Sequence, residues 1–387
     1  MSLIFIECLF LSACLIFLMG INPFVKKWKN LVLYACGGFF LTLIVSYVFL
    51  CFFEVQLSFY LIAVFSLFFV AKYLLNESGV EKAKPRKDED TFILGSESGQ
   101  LEFYYPRDNF MVLGGAGSGK TASIGKPILE QYIRYGWAGF IYDYKDYDYT
   151  KTAWNLVQKY KYPYKFYYIS FTDMSRTYRF NILNKNVIRN ETMLFQAMTD
   201  FFNAMKPEKG NTDEWFQAAL GLLCGVAVRF YKFQGDYEKY CTLPHILNFI
   251  LMATPEQLTR FLEGDMMSKM KAGAFLGSKG SERTQSSVIF SINNYISNLA
   301  TNKNVCYVLS GNDFIYDLID PEDPKLFAVS NNFAIESMIS PIVAMLVPLA
   351  ARRIEFGNRV KFAFVLDEMT TVKVNDFQSL PSVLREY

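Results

Sequence analysis

The stretch that decides the fold is Gly114-Gly115-Ala116-Gly117-Ser118-Gly119-Lys120-Thr121, which fits the pattern G-x-x-x-x-G-K-[ST]. It follows the apolar residues 110–113, which predict a strand. Glycines let successive backbone N–H groups point into one concavity, Lys120 can reach the β- and γ-phosphates of a nucleotide, and the Thr121 hydroxyl can ligate Mg²⁺. We therefore interpret residues 114–121, with Ala122 in the first turn of the following helix, as a phosphate-binding loop rather than a glycine-rich surface turn.

A second motif lies far downstream, in Lys361-Phe362-Ala363-Phe364-Val365-Leu366-Asp367-Glu368. It is an apolar strand that ends in two carboxylates, an arrangement known as Walker B. In a phosphoryl-transfer site the first carboxylate holds the Mg²⁺ shell, and the second can polarise the attacking water. We assign Asp367 to the metal and Glu368 to the water. A strand ending in Asp-Glu is more often a solvated strand end, but the complete phosphate loop favours the catalytic interpretation.

The order strand, phosphate loop, helix, strand predicts an α/β fold with a parallel sheet and a right-handed crossover. Both motifs would then lie at the carboxyl ends of strands, where such folds bind ligands. Further strands are predicted at 138–142, 166–169 and 325–329, and helices at 121–135 and 335–356. Between 186 and 300 strand patterns nearly vanish, and helical apolar spacing appears at 191–205, 213–233, 243–252, 255–263 and 281–299.

These patterns predict a RecA-like P-loop NTPase core in two parts, residues 91–185 and 301–387, with an all-helical insertion domain at residues 186–300. A RecA-like sheet would continue beyond Walker B with another strand that carries a polar sensor residue. Because the chain ends at Tyr387, we expect the second part of the core to be truncated.

Three N-terminal segments without charged residues predict a transmembrane helical anchor in residues 1–75. They span 8–25, 31–53 and 55–71, and each is long enough, or nearly so, to cross about 30 Å of hydrocarbon. Lysines and arginines follow the first and third segments, which predicts that these ends lie in the cytoplasm and the N-terminus outside. We therefore expect a multi-pass inner-membrane protein with a linker at 76–90 and a cytoplasmic ATPase domain. A signal peptide is the alternative, but no positive n-region precedes the first segment.

The composition disfavours several other classes of site. The net charge of +2 gives no global field for nucleic acid, so any basic surface must be local. His245 is the only histidine, which argues against a Ser-His-Asp triad and against a metal site built from several histidines. The seven cysteines include no C-x-x-C pair, so neither a disulfide framework nor a zinc site is indicated.

Over essentially its whole length the chain resembles the type IV secretion coupling proteins, which are TraG/TraD-like conjugative DNA transfer ATPases. Beyond the two motifs, the resemblance rests on Gly139-Phe140-Ile141-Tyr142-Asp143-Tyr144-Lys145, similar to the family's strand ending in Asp-x-Lys. It rests also on residues 175–183, similar to a Ser…Asn-Pro-Leu segment, and on Asp213-Glu214-Trp215-Phe216. Two departures are Ile182, where proline is usual, and Tyr147, near where the family often has glycine or glutamate.

The resemblance implies a membrane-anchored homo-hexamer that uses ATP and Mg²⁺ to move single-stranded DNA, with its attached relaxase, into a type IV secretion channel. The inner-membrane components of that channel would be further partners. Arg385 falls where the family places an arginine that reaches a neighbouring subunit's nucleotide, although an ordinary helix-surface arginine is an equally good interpretation.

Three alternative functions are compatible with parts of the sequence. An FtsK/HerA-type DNA-pumping ATPase is the runner-up, because composition does not separate the two. An ABC-type transport ATPase is disfavoured because the chain has no L-S-G-G-Q signature. A degenerate, non-enzymatic scaffold is disfavoured because Lys120, Thr121, Asp367 and Glu368 are all present.

Overall fold

A computed structural model describes residues 90–375 and 377, apart from 97–98, 105–108, 116, 207–213, 234, 355–357 and 376. The predicted spans, nearly all of the linker and Arg385 lie outside these residues. Within the described part of the chain, no helix combines the length and the apolar character needed to span a membrane.

The sheet that carries the site has four parallel strands. They are β3 (Ala138–Asp143), β4 (Lys165–Ile169), β5 (Lys325–Ser330) and β6 (Phe362–Leu366), in the order β4-β5-β3-β6. The two central strands are buried along their whole length, which is why their sequences read as apolar runs. A separate antiparallel hairpin precedes the sheet and consists of β1 (Phe92–Ser96) and β2 (Gly99–Phe103). The predicted α/β class and parallel pairing are confirmed.

The strand predicted at residues 110–113 is wrong. The segment belongs to no strand of the described sheets, and Met111 and Leu113 are 84% and 80% exposed. Its first residue, Phe110, packs instead on the hairpin, with its ring centroid 5.1 Å from that of Phe103 and 6.3 Å from that of Phe92. An apolar run forms a strand only when a neighbour supplies its hydrogen bonds, and here the aromatic cluster of the hairpin holds one end of the segment.

Helices cover both faces of the sheet. After the phosphate loop comes a π-helical turn (Lys120–Gly125), which continues as α1 (Lys126–Arg134), and α2 (Asp148–Tyr160) follows β3. These helices pack on the face that carries Ile141, while the alternate residues Phe140 and Tyr142 face the other core. On that second face lies α12 (Glu336–Ala351), which ends five residues before the predicted boundary and is buried along most of its length.

Between Glu191 and Leu309 the described residues form helices and no strands, as predicted for the insertion. The helices are α3 (Glu191–Ala204), α4 (Glu214–Tyr231), α5 (Tyr237–Tyr240), α6 (Leu243–Met252), α7 (Pro255–Glu263), α8 (Met266–Lys271), α9 (Gly273–Gly277), α10 (Glu282–Thr301) and α11 (Lys303–Leu309). Their apolar faces join one face of the sheet in a single continuous core, and α3 packs directly on α12. The helical block and the sheet therefore stabilise each other by shared burial.

Candidate functional site

The candidate phosphate loop has a backbone conformation that its glycines permit. Gly117 and Gly119 have φ angles of 74° and 81°, in the left-handed region that residues with a Cβ rarely enter. The Ser118 N–H donates to the Gly115 carbonyl over 3.3 Å, and the chain then enters the π-helical turn. Such turns are rare and are frequent at functional sites. Of the predicted loop residues, Ala122 lies exposed in this turn, and Ala116 lies outside the described residues.

Lys120 lies against the loop that it is predicted to serve. Its Nζ donates to the Gly114 carbonyl over 2.5 Å and to the Gly115 carbonyl over 2.9 Å. A charged phosphate oxygen is a stronger acceptor for an ammonium group than a neutral carbonyl is. The side chain is therefore held at the loop, with hydrogen bonds that a phosphate group can take over.

Tyr149 packs against the π-helical turn, where Gly125 makes room for it. A Cβ on Gly125 would lie only 2.0 Å from Tyr149 Oη. Burial raises the pKa of Tyr149 to about 12, and a hydrogen bond with the Thr121 side chain acts in the opposite direction. Tyr149 therefore lies close to the residue predicted to ligate Mg²⁺. Neither Tyr149 nor Gly125 belongs to a sequence motif, although an isolated glycine inside a predicted helix is a signal for close packing.

Asp367 follows β6 directly, as predicted, and its N–H donates to the Tyr142 carbonyl over 3.0 Å. Its Oδ2 atom is buried and has no hydrogen-bond partner among the described residues. Burial raises the pKa of this carboxyl group, and the charge of Lys145 opposes the increase. A buried anionic oxygen without a donor is costly unless a cation or its water shell approaches it. Asp367 therefore fits the role of a Mg²⁺-shell ligand.

Glu368 has an unusual backbone conformation for a residue with a side chain. Its φ and ψ angles of 45° and 49° are left-handed, and its side chain is exposed. The Glu368 carbonyl accepts hydrogen bonds from Thr371 N and Thr371 Oγ1, each 2.9 Å long. Thr371 is held in turn by Tyr142, whose hydroxyl shares a 2.8 Å hydrogen bond with Thr371 Oγ1. The fold thus maintains a strained conformation at the predicted water-polarising carboxylate, as is common in active sites.

Asp143 lies at the end of β3 and accepts hydrogen bonds from the loop and helix that follow. It is fully buried, and its carboxylate accepts from Lys145 N (3.2 Å), Thr150 N (2.8 Å) and Thr150 Oγ1 (2.7 Å). Burial raises its pKa, and the bonds from Thr150 act in the opposite direction. Because these donors occupy its oxygens, Asp143 sets the start of α2 and the path of the loop rather than holding a metal.

The loop after β3 brings a second lysine to the site. Lys145 Nζ donates to Thr121 Oγ1 over 3.2 Å. Lys145 therefore joins the two motifs, because it bonds to the phosphate-loop threonine and its charge acts on the Walker B carboxylate. Lys145 ends the Asp-x-Lys motif of the sequence, which by itself predicts no role for the lysine. Arg385, the predicted trans-acting arginine, lies outside the described residues.

Comparisons with known proteins identify the family and the fold of the chain. The family model for type IV secretory system conjugative DNA transfer matches residues 63–387. None of the curated proteins matches the chain.

Several solved structures share the fold at low sequence identity. The unbound monoclinic form of the bacterial conjugative coupling protein TrwB is similar with a TM-score of 0.57 and 16% identity, over 78% of this chain and 65% of that one. The plasmid coupling protein TrwB in complex with ADP and Mg²⁺ also gives 0.57 and 16%, over 79% and 68%. Its complex with a non-hydrolysable ATP analogue gives 0.51 and 18%, over 69% and 58%. The chain thus spans about two thirds or less of the length of these proteins.

Proposed function

Because this chain belongs to the type IV secretory system conjugative DNA transfer family, we propose that it is a membrane-anchored ATPase that couples ATP hydrolysis to conjugative transfer. Its substrate is single-stranded DNA with an attached relaxase, which it delivers to a type IV secretion channel. The observation that carries the proposal is that Lys145 hydrogen-bonds Thr121 of the phosphate loop and its charge also acts on Asp367, whose buried Oδ2 has no hydrogen-bond partner among the described residues.

The residues divide the chemistry of phosphoryl transfer among them. Lys120 and the loop N–H groups would bind the phosphates of ATP, and Thr121 and Asp367 would hold Mg²⁺. When bound, Mg²⁺ would neutralise the negative charge that develops on the transferred phosphate group. Glu368 accepts a proton from the attacking water, and its exposed side chain leaves it accessible to that water. The ADP–Mg²⁺ and ATP-analogue complexes of TrwB support the choice of ligands.

The assembly we propose is a homo-hexamer at the cell inner membrane. A phosphate loop and a Walker B carboxylate from one subunit leave the γ-phosphate open on one side, which Arg385 of a neighbour closes. Such a heterologous contact repeats around a ring. The N-terminal spans anchor the ring next to the inner-membrane components of the secretion system and keep the ATPase domain in the cytoplasm. Since the net charge is only +2, DNA contacts are confined to a channel lined by local basic residues.

The test combines ATPase assays on the full chain in detergent with transfer assays in a donor strain. Lys120→Ala should abolish both nucleotide binding and turnover. Glu368→Gln should bind nucleotide normally and lose turnover by roughly 10²–10⁴-fold, because the amide cannot accept a proton. Lys159→Ala is the matched control, since Lys159 is an exposed lysine in the last turn of α2.

A donor that lacks the chain should retain its plasmid but fail to transfer it, and neither active-site variant should restore transfer. Unchanged transfer together with failed chromosome segregation would replace the proposal with a DNA-pumping motor of the FtsK/HerA type. Loss of nucleotide binding in Glu368→Gln as severe as in Lys120→Ala would show that the two roles are assigned wrongly.

A further inference from the structure

We propose that Lys145 is a tethered cation that binds the proposed metal ligand Thr121, near Asp367, and exchanges places with Mg²⁺. In this role it is a positioning residue that sets how strongly nucleotide binding depends on Mg²⁺. The inference rests on the proposed binding of ATP and Mg²⁺ and goes beyond it, because it assigns a function to a lysine outside both nucleotide motifs.

Lys145 makes a hydrogen bond to a residue that is proposed to hold Mg²⁺. Its ammonium group lies 3.2 Å from Thr121 Oγ1, which is the oxygen that would ligate Mg²⁺. A hydroxyl oxygen has two lone pairs, but a divalent ion and an ammonium group on the same oxygen repel each other strongly. Arrival of Mg²⁺ therefore displaces Lys145, whose exposed side chain is free to move to a phosphate oxygen.

The buried carboxylate of Asp367 needs positive charge nearby. Its buried Oδ2 has no hydrogen-bond partner among the described residues, so its charge must be balanced through space. Lys145, which is held at Thr121 by its 3.2 Å hydrogen bond, is a cation close enough to act on the Asp367 carboxyl. Lys145 thus bonds directly to one of the two residues proposed to hold the metal and acts on the other through its charge.

The backbone next to Lys145 is held in an unfavourable conformation. The next two residues, Asp146 and Tyr147, have φ angles of 48° and 74°, which are unfavourable for residues with a Cβ. Two hydrogen bonds to the end of β5 hold them there: Asp146 N donates to the Asn331 carbonyl over 3.1 Å, and Tyr147 N donates to Ser330 Oγ over 3.0 Å.

On the other side, Lys145 N donates to the buried carboxylate of Asp143 over 3.2 Å. The strained loop is therefore held at both ends, which fixes the backbone from which the Lys145 side chain reaches Thr121.

The exchange predicts a specific change in the coupling between nucleotide and metal. Lys145 should support binding of metal-free ATP, because it supplies a cation near the phosphates, and it should compete with Mg²⁺. In Lys145→Met, the ratio of the Kd in EDTA to the Kd in excess Mg²⁺ should rise by about tenfold, within the usual range of such couplings. The measurement is calorimetric titration of the full chain with a non-hydrolysable ATP analogue, so no turnover is involved.

Two control variants separate this role from a general effect of charge. Lys151→Met removes a nearby exposed lysine of α2 and should leave the ratio unchanged. Lys145→Arg keeps the charge and should restore the ratio towards the wild-type value. A ratio for Lys145→Met within twofold of the wild type, or an equal rise in Lys151→Met, would overturn the inference while leaving the proposed function intact. No nucleotide binding by the wild type, with or without Mg²⁺, would overturn both.

Discussion

Gly125→Ala tests whether close packing of Tyr149 supports the phosphate loop. The added methyl group would lie 2.0 Å from Tyr149 Oη and 3.1 Å from its Cζ atom, well inside van der Waals contact. Tyr149 is 5% exposed, so its ring has no free space into which it can turn. Overpacking a filled site costs about 1–3 kcal/mol, whereas replacing glycine by alanine in a helix gains up to about 1 kcal/mol. We expect a net loss of about 1–2 kcal/mol in the free energy of unfolding.

The assay is thermal and denaturant unfolding of the full chain, with Tyr149→Phe as the second arm of a double-mutant cycle. Without the hydroxyl, the nearest remaining atom to the new methyl is Cζ, so the double variant should recover most of the loss. Gly273→Ala is the matched control, because a Cβ there meets no atom within 4 Å. Wild-type stability of Gly125→Ala, or an equal loss with and without the Tyr149 hydroxyl, would refute the reasoning.

Two further predictions concern buried charge. Asp317→Ala should destabilise the protein by about 3–5 kcal/mol, because it removes a buried carboxylate that pairs with the buried Arg353 guanidinium. Arg176→Ala, in an exposed ion pair, should cost less than about 1 kcal/mol, and similar losses for the two variants in denaturant unfolding would contradict this. Burial raises the folded-state pKa of Asp143, so protonation stabilises the fold below the unfolded-state pKa of about 4, and this contribution is lost as pH rises through the folded-state pKa. The free energy of unfolding of Asp143→Asn relative to the wild type should therefore rise with pH across that window, and a flat difference would show that Asp143 has no raised pKa.

Local signals in the sequence were sufficient where the structure is governed by local interactions. The helices Leu243–Met252 and Pro255–Glu263 have the bounds that the sequence predicts. Each is preceded by an N-cap threonine, Thr242 or Thr254, whose side chain accepts a hydrogen bond from a backbone N–H of the first turn. Each also has a proline in its first turn. Caps, proline and apolar spacing act within a few residues, so one sequence reveals them.

Contacts between distant segments could not be predicted in this way. The run 110–113 has the local character of a strand, but pairing depends on a neighbour that the pattern does not identify. The contact of Tyr149 with Gly125 and the bond from Lys145 to Thr121 both depend on how β3 and its loop lie beside the π-helical turn. Motif matching found the groups of the proposed phosphate chemistry, whereas the residues that hold those groups in place became visible only in three dimensions.

The order of the sheet explains how residues from distant parts of the chain form one site. Asp367 N bonds to the Tyr142 carbonyl of β3, and Asn331 N, just after β5, bonds to the Asp143 carbonyl over 2.8 Å. The carboxyl end of β3 therefore receives backbone bonds from both neighbours, and it carries Lys145 between them. The helical block leaves the sheet after β4 and returns at β5, on the side of β3 away from β6. Its insertion does not interrupt the pairing of β3 with β6, so the fold accommodates a large helical block while Asp367 stays in register with the loop that holds Lys145.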